Sequence, residues 1–182
     1  GRFVMVYNGE VYNYKELAGQ FRIDTQTTSD SEVVLELFAK RGVEFVNSLN
    51  GMFAIAIYDK VDQRLFLFRD RVGVKPLFYY FNNHNFVFAS ELKALKVALP
   101  KEWLRINYQS ISDYLHLGFI NAPSTIYNDV FKLGQGEMAI VDKNGLTKRS
   151  WWLAKEKIQK SYITDEKEAL KRLDSIINSA VQ

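Results

Sequence analysis

Two hairpins whose strands are apolar on both faces, set among helix-start signals, predict an α+β protein in which antiparallel sheets stack against each other with helices outside. The strands are "MFAIAIYD" (Met52–Asp59) with "RLFLFRD" (Arg64–Asp70), and "PLFYYF" (Pro76–Phe81) with "FVFAS" (Phe86–Ser90). Each pair encloses a polar turn, Lys60–Gln63 or Asn82–Asn85, and is rich in β-branched and aromatic residues, which suit a pleated sheet. Strands of this kind need cover on both sides, and that requirement turns two hairpins into a stack of layers.

The chain opens on Phe3–Tyr7, apolar throughout, so this segment also reads as a strand covered on both faces. A strand of that type needs neighbours, and the reading expects natural sequence before Gly1. The apolar run breaks on Asn8-Gly9-Glu10. Asn-Gly is first a hairpin signal, because both residues tolerate positive φ, but no alternating strand follows. Instead Asn13-x-x-Glu16 announces a helix, so the order expected is strand, tight polar loop, helix.

The second helix is marked by Ser29 and Glu32 as a capping box, with Asp30 and Glu32 at its positive end. Val33, Val34, Leu37 and Phe38 form its apolar face, Lys40 and Arg41 suit its negative end, and Gly42 can stop it. Capping accounts for one of Ser29 and Asp30 and leaves the other for a ligand. Further on, Ile111–Leu117 reads as helix. Ile120–Asp142 is turn-rich and closes on a short strand and the turn Lys143-Asn144-Gly145. Thr164 is expected to cap a last amphipathic helix with Leu170, Leu173, Ile176, Ile177, Ala180 and Val181 on one face. A boundary is expected near Lys155–Tyr162, with the last helix opening another domain.

Composition narrows the function. The 182 residues are 47% hydrophobic and 14% aromatic, enough for a substantial core, and carry a formal charge of only +3. No basic run or stripe supports nucleic-acid or acidic-membrane binding. No apolar stretch approaches the roughly 20 residues of a membrane span, so a soluble, cytoplasmic protein is expected. With no cysteine, disulfides, thiolate zinc sites and a cysteine nucleophile are excluded within these residues. His84, in a polar turn, and His116, in a helical run, stand apart without paired carboxylates, so no metal is expected.

Three polar interruptions could carry chemistry: Asn8-Gly9-Glu10, Ser29-Asp30, and Asp70-Arg71-Val72-Gly73-Val74-Lys75. Such groups at element ends need one another or a ligand. The Asn8 amide and the N–H beside the glycine are suitable donors for an oxyanion, and Glu10 and Asp30 could receive an ammonium. Spacing alone equally allows a turn and a cap at each.

The order "VYNGEVYN", "TSDSEVVL", "LNGMFAIAIYD", "RDRVGVKPLFYY", "FASELKAL" resembles the glutaminase domain of class II glutamine amidotransferases, of the N-terminal nucleophile hydrolase superfamily. "INAPSTIYNDVFKLGQGEMAIV" followed by a Trp pair resembles the glutamine-hydrolysing asparagine synthetase branch. The resemblance covers about residues 1–155, and five motifs in order are highly specific. It implies a four-layer αββα sandwich, truncated at its N-terminus. It also implies an oxyanion hole from the Asn8 side chain and the Gly9 N–H, with Glu10 and Asp30 orienting glutamine's α-ammonium. Asp70, Arg71, Gly73 and Lys75 would shape the domain, Arg71 by a salt bridge and Gly73 by a turn, or border an ammonia tunnel.

In that family an N-terminal cysteine attacks glutamine with its own α-amino group as base, and ammonia passes to a synthetase domain that uses ATP and Mg²⁺ to amidate aspartate. Neither the cysteine nor the arginine for glutamine's α-carboxylate is present here. The resemblance therefore implies a middle piece of a longer enzyme: residues 1–155 amidotransferase, 156–182 linker and first synthetase helix. That piece would be inactive alone and need no cofactor, with glutamine as substrate, the synthetase domain of the same chain as partner, and a homodimer allowed. Three alternatives stay open. They are another class II amidotransferase (phosphoribosyl or glucosamine phosphate type), a paralogue from polysaccharide biosynthesis, and a non-catalytic module of the same fold.

Overall fold

The computed structural model describes residues 1–82, 85–158 and 162–181, so the reading of His84 lies outside the described residues. Two compact units are distinguished, Gly1–Trp152 and Leu153–Gln182. In the first, β1 (Phe3–Val11), β2 (Gly51–Asp59), β3 (Arg64–Arg69), β7 (Glu137–Asp142) and β8 (Gly145–Ser150) form one antiparallel sheet in the order β1-β2-β3-β7-β8. The second sheet is β5 (Asn85–Ala89), β4 (Phe78–Asn82) and β6 (Val130–Lys132), in the order β5-β4-β6 and also antiparallel. Both expected hairpins form, β2–β3 and β4–β5. Strand β8 has no alternating apolar signal, since Thr147–Ser150 are polar and exposed, and the sequence reading missed it.

Side-chain alternation along each strand divides the core into three interfaces. On one face of the larger sheet, Phe53, Ile55, Ile57, Phe66, Phe68 and Met138 pack against α1 (Tyr14–Phe21) and α2 (Asp30–Arg41). The ring of Phe38 is the hub: its centroid lies 5.1 Å from Phe3, 5.3 Å from Phe45 and 5.3 Å from Phe66, all edge to face. On the opposite face the same strands present small residues, Ala54, Ala56 and Ala139, to Leu77, just before β4, and to Tyr79, Phe88 and Phe131 of the second sheet. Small residues facing aromatic ones let the two sheets interdigitate closely. The outer face of the second sheet buries Tyr80 and Val130 against Leu95 and Leu99, at and just after α3 (Leu92–Ala98). The layers run helix, sheet, sheet, helix, as the αββα expectation holds.

Local predictions fared less evenly. Phe3–Tyr7 is not covered on both faces: Phe3, Met5 and Tyr7 meet the helices, while Val4 and Val6 are 50% and 62% exposed. The capping box at α2 is also wrong in detail. Ser29 accepts from the Ser31 N–H at 3.3 Å, whereas Glu32 turns back to accept from Gln26 and Thr27 N–H, each at 2.8 Å. Lys40 donates to the carbonyls of Phe21 and Arg22 that end α1 rather than to its own helix. Gly42, at φ +57, does end α2, and a 3₁₀ turn, Gly42–Ser48, follows. Asn107 caps α4 (Tyr108–Leu117), which contains the expected Ile111–Leu117 and the exposed His116.

The second unit holds a short turn of helix, α5 (Ala154–Lys157), and α6 (Glu166–Val181). Its cap is Asp165, whose carboxylate accepts from the Glu168 N–H at 2.7 Å, not Thr164. Within this unit the apolar stripe of α6 is exposed at Leu170, Leu173, Ile176, Ile177 and Val181. No helix among the described residues is long and apolar enough to cross a membrane.

Candidate active site

Asn8-Gly9-Glu10 is not a loop. All three residues are paired within β1, opposite Ala54, Phe53 and Met52 of β2. The turn signal fails because glycine serves another purpose here. A Cβ on Gly9 would stand 2.2 Å from the Met52 carbonyl oxygen, and one on Gly51 would stand 2.1 Å from that of Glu10. Two glycines on facing strands let the backbones close to a distance no side chain permits.

The register fixes where each group of β1 points. Along an antiparallel strand, N–H groups alternate between the partner and the open edge. The Tyr12 N–H donates to Asn50 across the pair, at 2.8 Å, so the even-numbered N–H groups face β2. The Val11 N–H faces the other way and donates to Asp30 Oδ2 at 2.9 Å. Phe53, opposite Gly9, sends its N–H away to Asp70. The Gly9 N–H therefore points off the open edge of β1, the outermost strand of its sheet among the described residues.

The side chain of Asn8 leaves the strand toward the second sheet. Its Nδ2 donates to Ser90 Oγ at 3.2 Å, just before α3, and it borders a cavity of about 130 Å³ with Val6, Ala54, Leu77 and Phe88. Glu10, two residues on, shares that face and is exposed. Asp30 sits at the start of α2, half-buried, with Oδ2 bonded to both the Val11 N–H and the Tyr7 hydroxyl, the latter at 2.6 Å. Burial, then the bond to Asp30, then the charges of Asp30 and Glu10 raise the Tyr7 pKa well above the ordinary phenol value. Asp30 bonds that hydroxyl directly, while Glu10 leaves β1 on the opposite face, with Asn8. The larger clefts, about 490 and 430 Å³ beside the Asp142–Asn144 turn, contain none of these residues. Size alone does not make them the site.

The third interruption lies on the far side of β2. Asp70 is fully buried and accepts from four backbone N–H groups: Phe53 at 3.3 Å, Val72 at 3.2 Å, Val74 at 2.9 Å and Lys75 at 2.9 Å. Gly73 makes the expected turn at φ +73. Arg71 forms no salt bridge among the described residues. It donates to the carbonyls of Leu49 and Asn47 and lies over the Trp151 ring, which stacks in turn on Phe53. Lys75 contributes backbone only, its carbonyl accepting from Arg69.

Asn13 holds the same Asn47–Asn50 segment from the other side, through Ser48 O and Asn50 N, instead of capping α1 with its side chain. These contacts fix the end of β1, and they are framework. Sequence reasoning missed Tyr7 and Ser90. Tyr7 follows the i, i+2 rule with Gly9 and Val11 and was visible only as an apolar residue, while Ser90 is 82 positions from Asn8.

Two antiparallel sheets stacked between helices thus set Asn8, Gly9, Glu10 and Asp30 about the edge of β1. A sequence profile of the glutamine amidotransferase domain matches residues 1–152, and the chain belongs to that family. A Methanocaldococcus jannaschii protein provisionally named asparagine synthetase [glutamine-hydrolyzing] 2 is 43% identical over 82% of this chain. Asparagine synthetase [glutamine-hydrolyzing] 3 of Bacillus subtilis is 34% identical, also over 82%. The chain spans only 30% and 25% of those two relatives. Among solved structures, the glutamine phosphoribosylpyrophosphate amidotransferase of B. subtilis superposes with a TM-score of 0.59 at 20% identity, over 83% of this chain and 29% of that one. That likeness speaks for the fold alone.

Proposed function

We propose that the chain is the glutamine-binding part of an asparagine synthetase, in which ammonia from the glutamine side chain amidates aspartate. The carrying observation is the spacing along the β1 edge. The Gly9 and Val11 N–H groups leave the same edge two residues apart, roughly 7 Å along a strand, and Asp30 sits on the second. Extended glutamine spans about 6 Å from carboxamide oxygen to α-nitrogen, with bonds of roughly 1.5 Å. One end of the substrate therefore meets Asn8 Nδ2 and Gly9 N–H while the other meets Asp30 and Glu10.

The roles follow from charge. When a nucleophile adds to the carboxamide carbon, the carbonyl oxygen becomes an oxyanion, and donors already aimed at it stabilise that state more than the ground state, typically by about 2.7–4 kcal/mol per donor. Collapse of the intermediate expels ammonia, and water then releases glutamate. The chain has no cysteine, so its residues bind and stabilise while the nucleophile is supplied from outside them. ATP would be consumed, with Mg²⁺ as cofactor, at the acceptor-activating part, which α6 is proposed to open. Residues 1–155 form the amidotransferase part and 156–182 the linker and first helix of the next.

Ammonia release by the full-length protein, followed with glutamine as sole nitrogen donor, tests this reading. Wild type is expected to produce glutamate and, with ATP and aspartate, asparagine; the 182 residues alone should release no ammonia. Steady glutaminase activity of the 182 residues, or glutamine turnover undisturbed by Asn8→Ala, would contradict it.

A further inference from the structure

Asp30 has an unexplained bonding pattern for the first residue of a helix. A carboxylate there ordinarily accepts from its own helix's free N–H groups. Ser29 already takes that role, and Asp30 turns away from α2 to the edge of β1. Both of its recorded bonds fall on one oxygen: Tyr7 Oη donates to Oδ2 at 2.6 Å and Val11 N donates to the same Oδ2 at 2.9 Å. Oδ1 has no hydrogen-bond or ion-pair partner among the described residues.

We propose that Tyr7 is a positioning residue for substrate recognition: its hydroxyl, together with the Val11 N–H, clamps Asp30 Oδ2 and so leaves Oδ1 turned outward to accept the substrate's α-ammonium. This rests on the glutamine-binding reading above and adds a residue that binds no substrate atom itself. Two donors on one oxygen fix the carboxylate's rotation, and a fixed acceptor gives up less freedom on binding than a free one. The hydroxyl stays a donor because its surroundings oppose ionisation, burial first and the neighbouring carboxylates after it. Tyr7 can serve only because it shares strand parity with Val11. Both lie on the helix-facing side of β1, where the ring packs against the core and the hydroxyl reaches the start of α2. One strand thus carries oxyanion donors at Asn8 and Gly9 and the support for the ammonium acceptor at Tyr7 and Val11.

The test compares two ligands that are not turned over, L-glutamate and glutarate, which differ by the α-ammonium. Their affinities for the full-length protein are measured by calorimetry in wild type, Tyr7→Phe and Asp30→Asn. Wild type should prefer glutamate. Tyr7→Phe should narrow that preference about tenfold, the effect of one hydrogen bond to a charged group, while glutarate affinity stays unchanged. Asp30→Asn should abolish the preference.

If Asp30→Asn abolishes it and Tyr7→Phe matches wild type, the clamp is refuted and the glutamine site stands. If Tyr7→Phe weakens both ligands equally, Tyr7 merely supports the strand, and the clamp is again refuted. An undiminished preference in Asp30→Asn overturns the assignment of Asp30 itself, and the clamp with it.

Discussion

The segments Asn8–Glu10 and Asp70–Lys75 each set a carboxylate, a glycine and further polar groups at the end of an apolar run, and in the sequence they look interchangeable. In the fold they lie on opposite sides of Phe53. Asp70 is buried and its oxygens are saturated by four backbone N–H groups. At Asn8–Glu10 the polar groups point outward: the Gly9 N–H leaves an open strand edge, Asn8 faces a cavity, and Glu10 is exposed. A polar group satisfied inside the protein holds the protein together, while one aimed at an opening is available to a ligand. What separates framework from site is where the partner is, and that is not written in local sequence.

Substitutions can break or sharpen this contrast. The largest effect is expected at Asp70: alanine removes the buried acceptor of four backbone N–H groups and should lower unfolding free energy by on the order of 4 kcal/mol, read by denaturant titration. A loss below about 1 kcal/mol would deny Asp70 its framework role. Asn8→Ala should do the reverse. Stability should change by less than about 1 kcal/mol at this exposed position, while glutaminase kcat of the full-length protein falls about 10²–10³-fold.

Arg71→Ala removes two bonds to carbonyls and a cation–ring contact. It should cost about 1–2 kcal/mol of stability, with glutamate affinity following only as far as the fold does. A selective loss of ligand binding there would move Arg71 from framework to site.

How much of this was legible in the sequence depended on range. Hairpins and the α2 face are local patterns, and they were read correctly along with the stacking they force. Cover on Phe3–Tyr7 was misjudged because its alternation is masked: Val4 and Val6 are as apolar as Met5 yet face outward. Asn8-Gly9 suggested a loop because Asn-Gly tolerates positive φ, but the Met52 carbonyl, 43 positions on, occupies the space a Cβ would need and makes Gly9 a close-contact residue in a paired strand. Ser29 and Gly42 were placed correctly at the ends of α2, but other end contacts were misassigned, because Glu32, Asn13 and Lys40 found better partners in neighbouring segments. Spacing offered Asn8, Gly9, Glu10 and Asp30 only as candidates beside turns and caps, and the resemblance chose between those readings.

The smallest expected effect concerns pH. Asp59 accepts from Arg2 through both oxygens, at 2.9 and 2.6 Å, and this bonding, aided by the Val61 and Asp62 N–H groups, holds its pKa well below the usual carboxylate value. A depressed folded-state pKa contributes stability above the unfolded value, about 4, and loses it as pH falls toward the folded one. Asp59→Asn should therefore be less stable than wild type at pH 7, with the two converging as the solution is acidified below pH about 4. Parallel acid-unfolding curves would show that Asp59 carries no such linkage, and would leave the site untouched.

The most direct test of the central claim is a crystal structure of the full-length protein with glutamine or glutamate bound. The account predicts the side-chain carbonyl oxygen about 2.7–3.1 Å from both Asn8 Nδ2 and the Gly9 nitrogen, with the α-ammonium on Asp30 Oδ1. Ligand bound instead beside the Asp142–Asn144 turn, or lying on β1 with its α-ammonium away from Asp30, would contradict it.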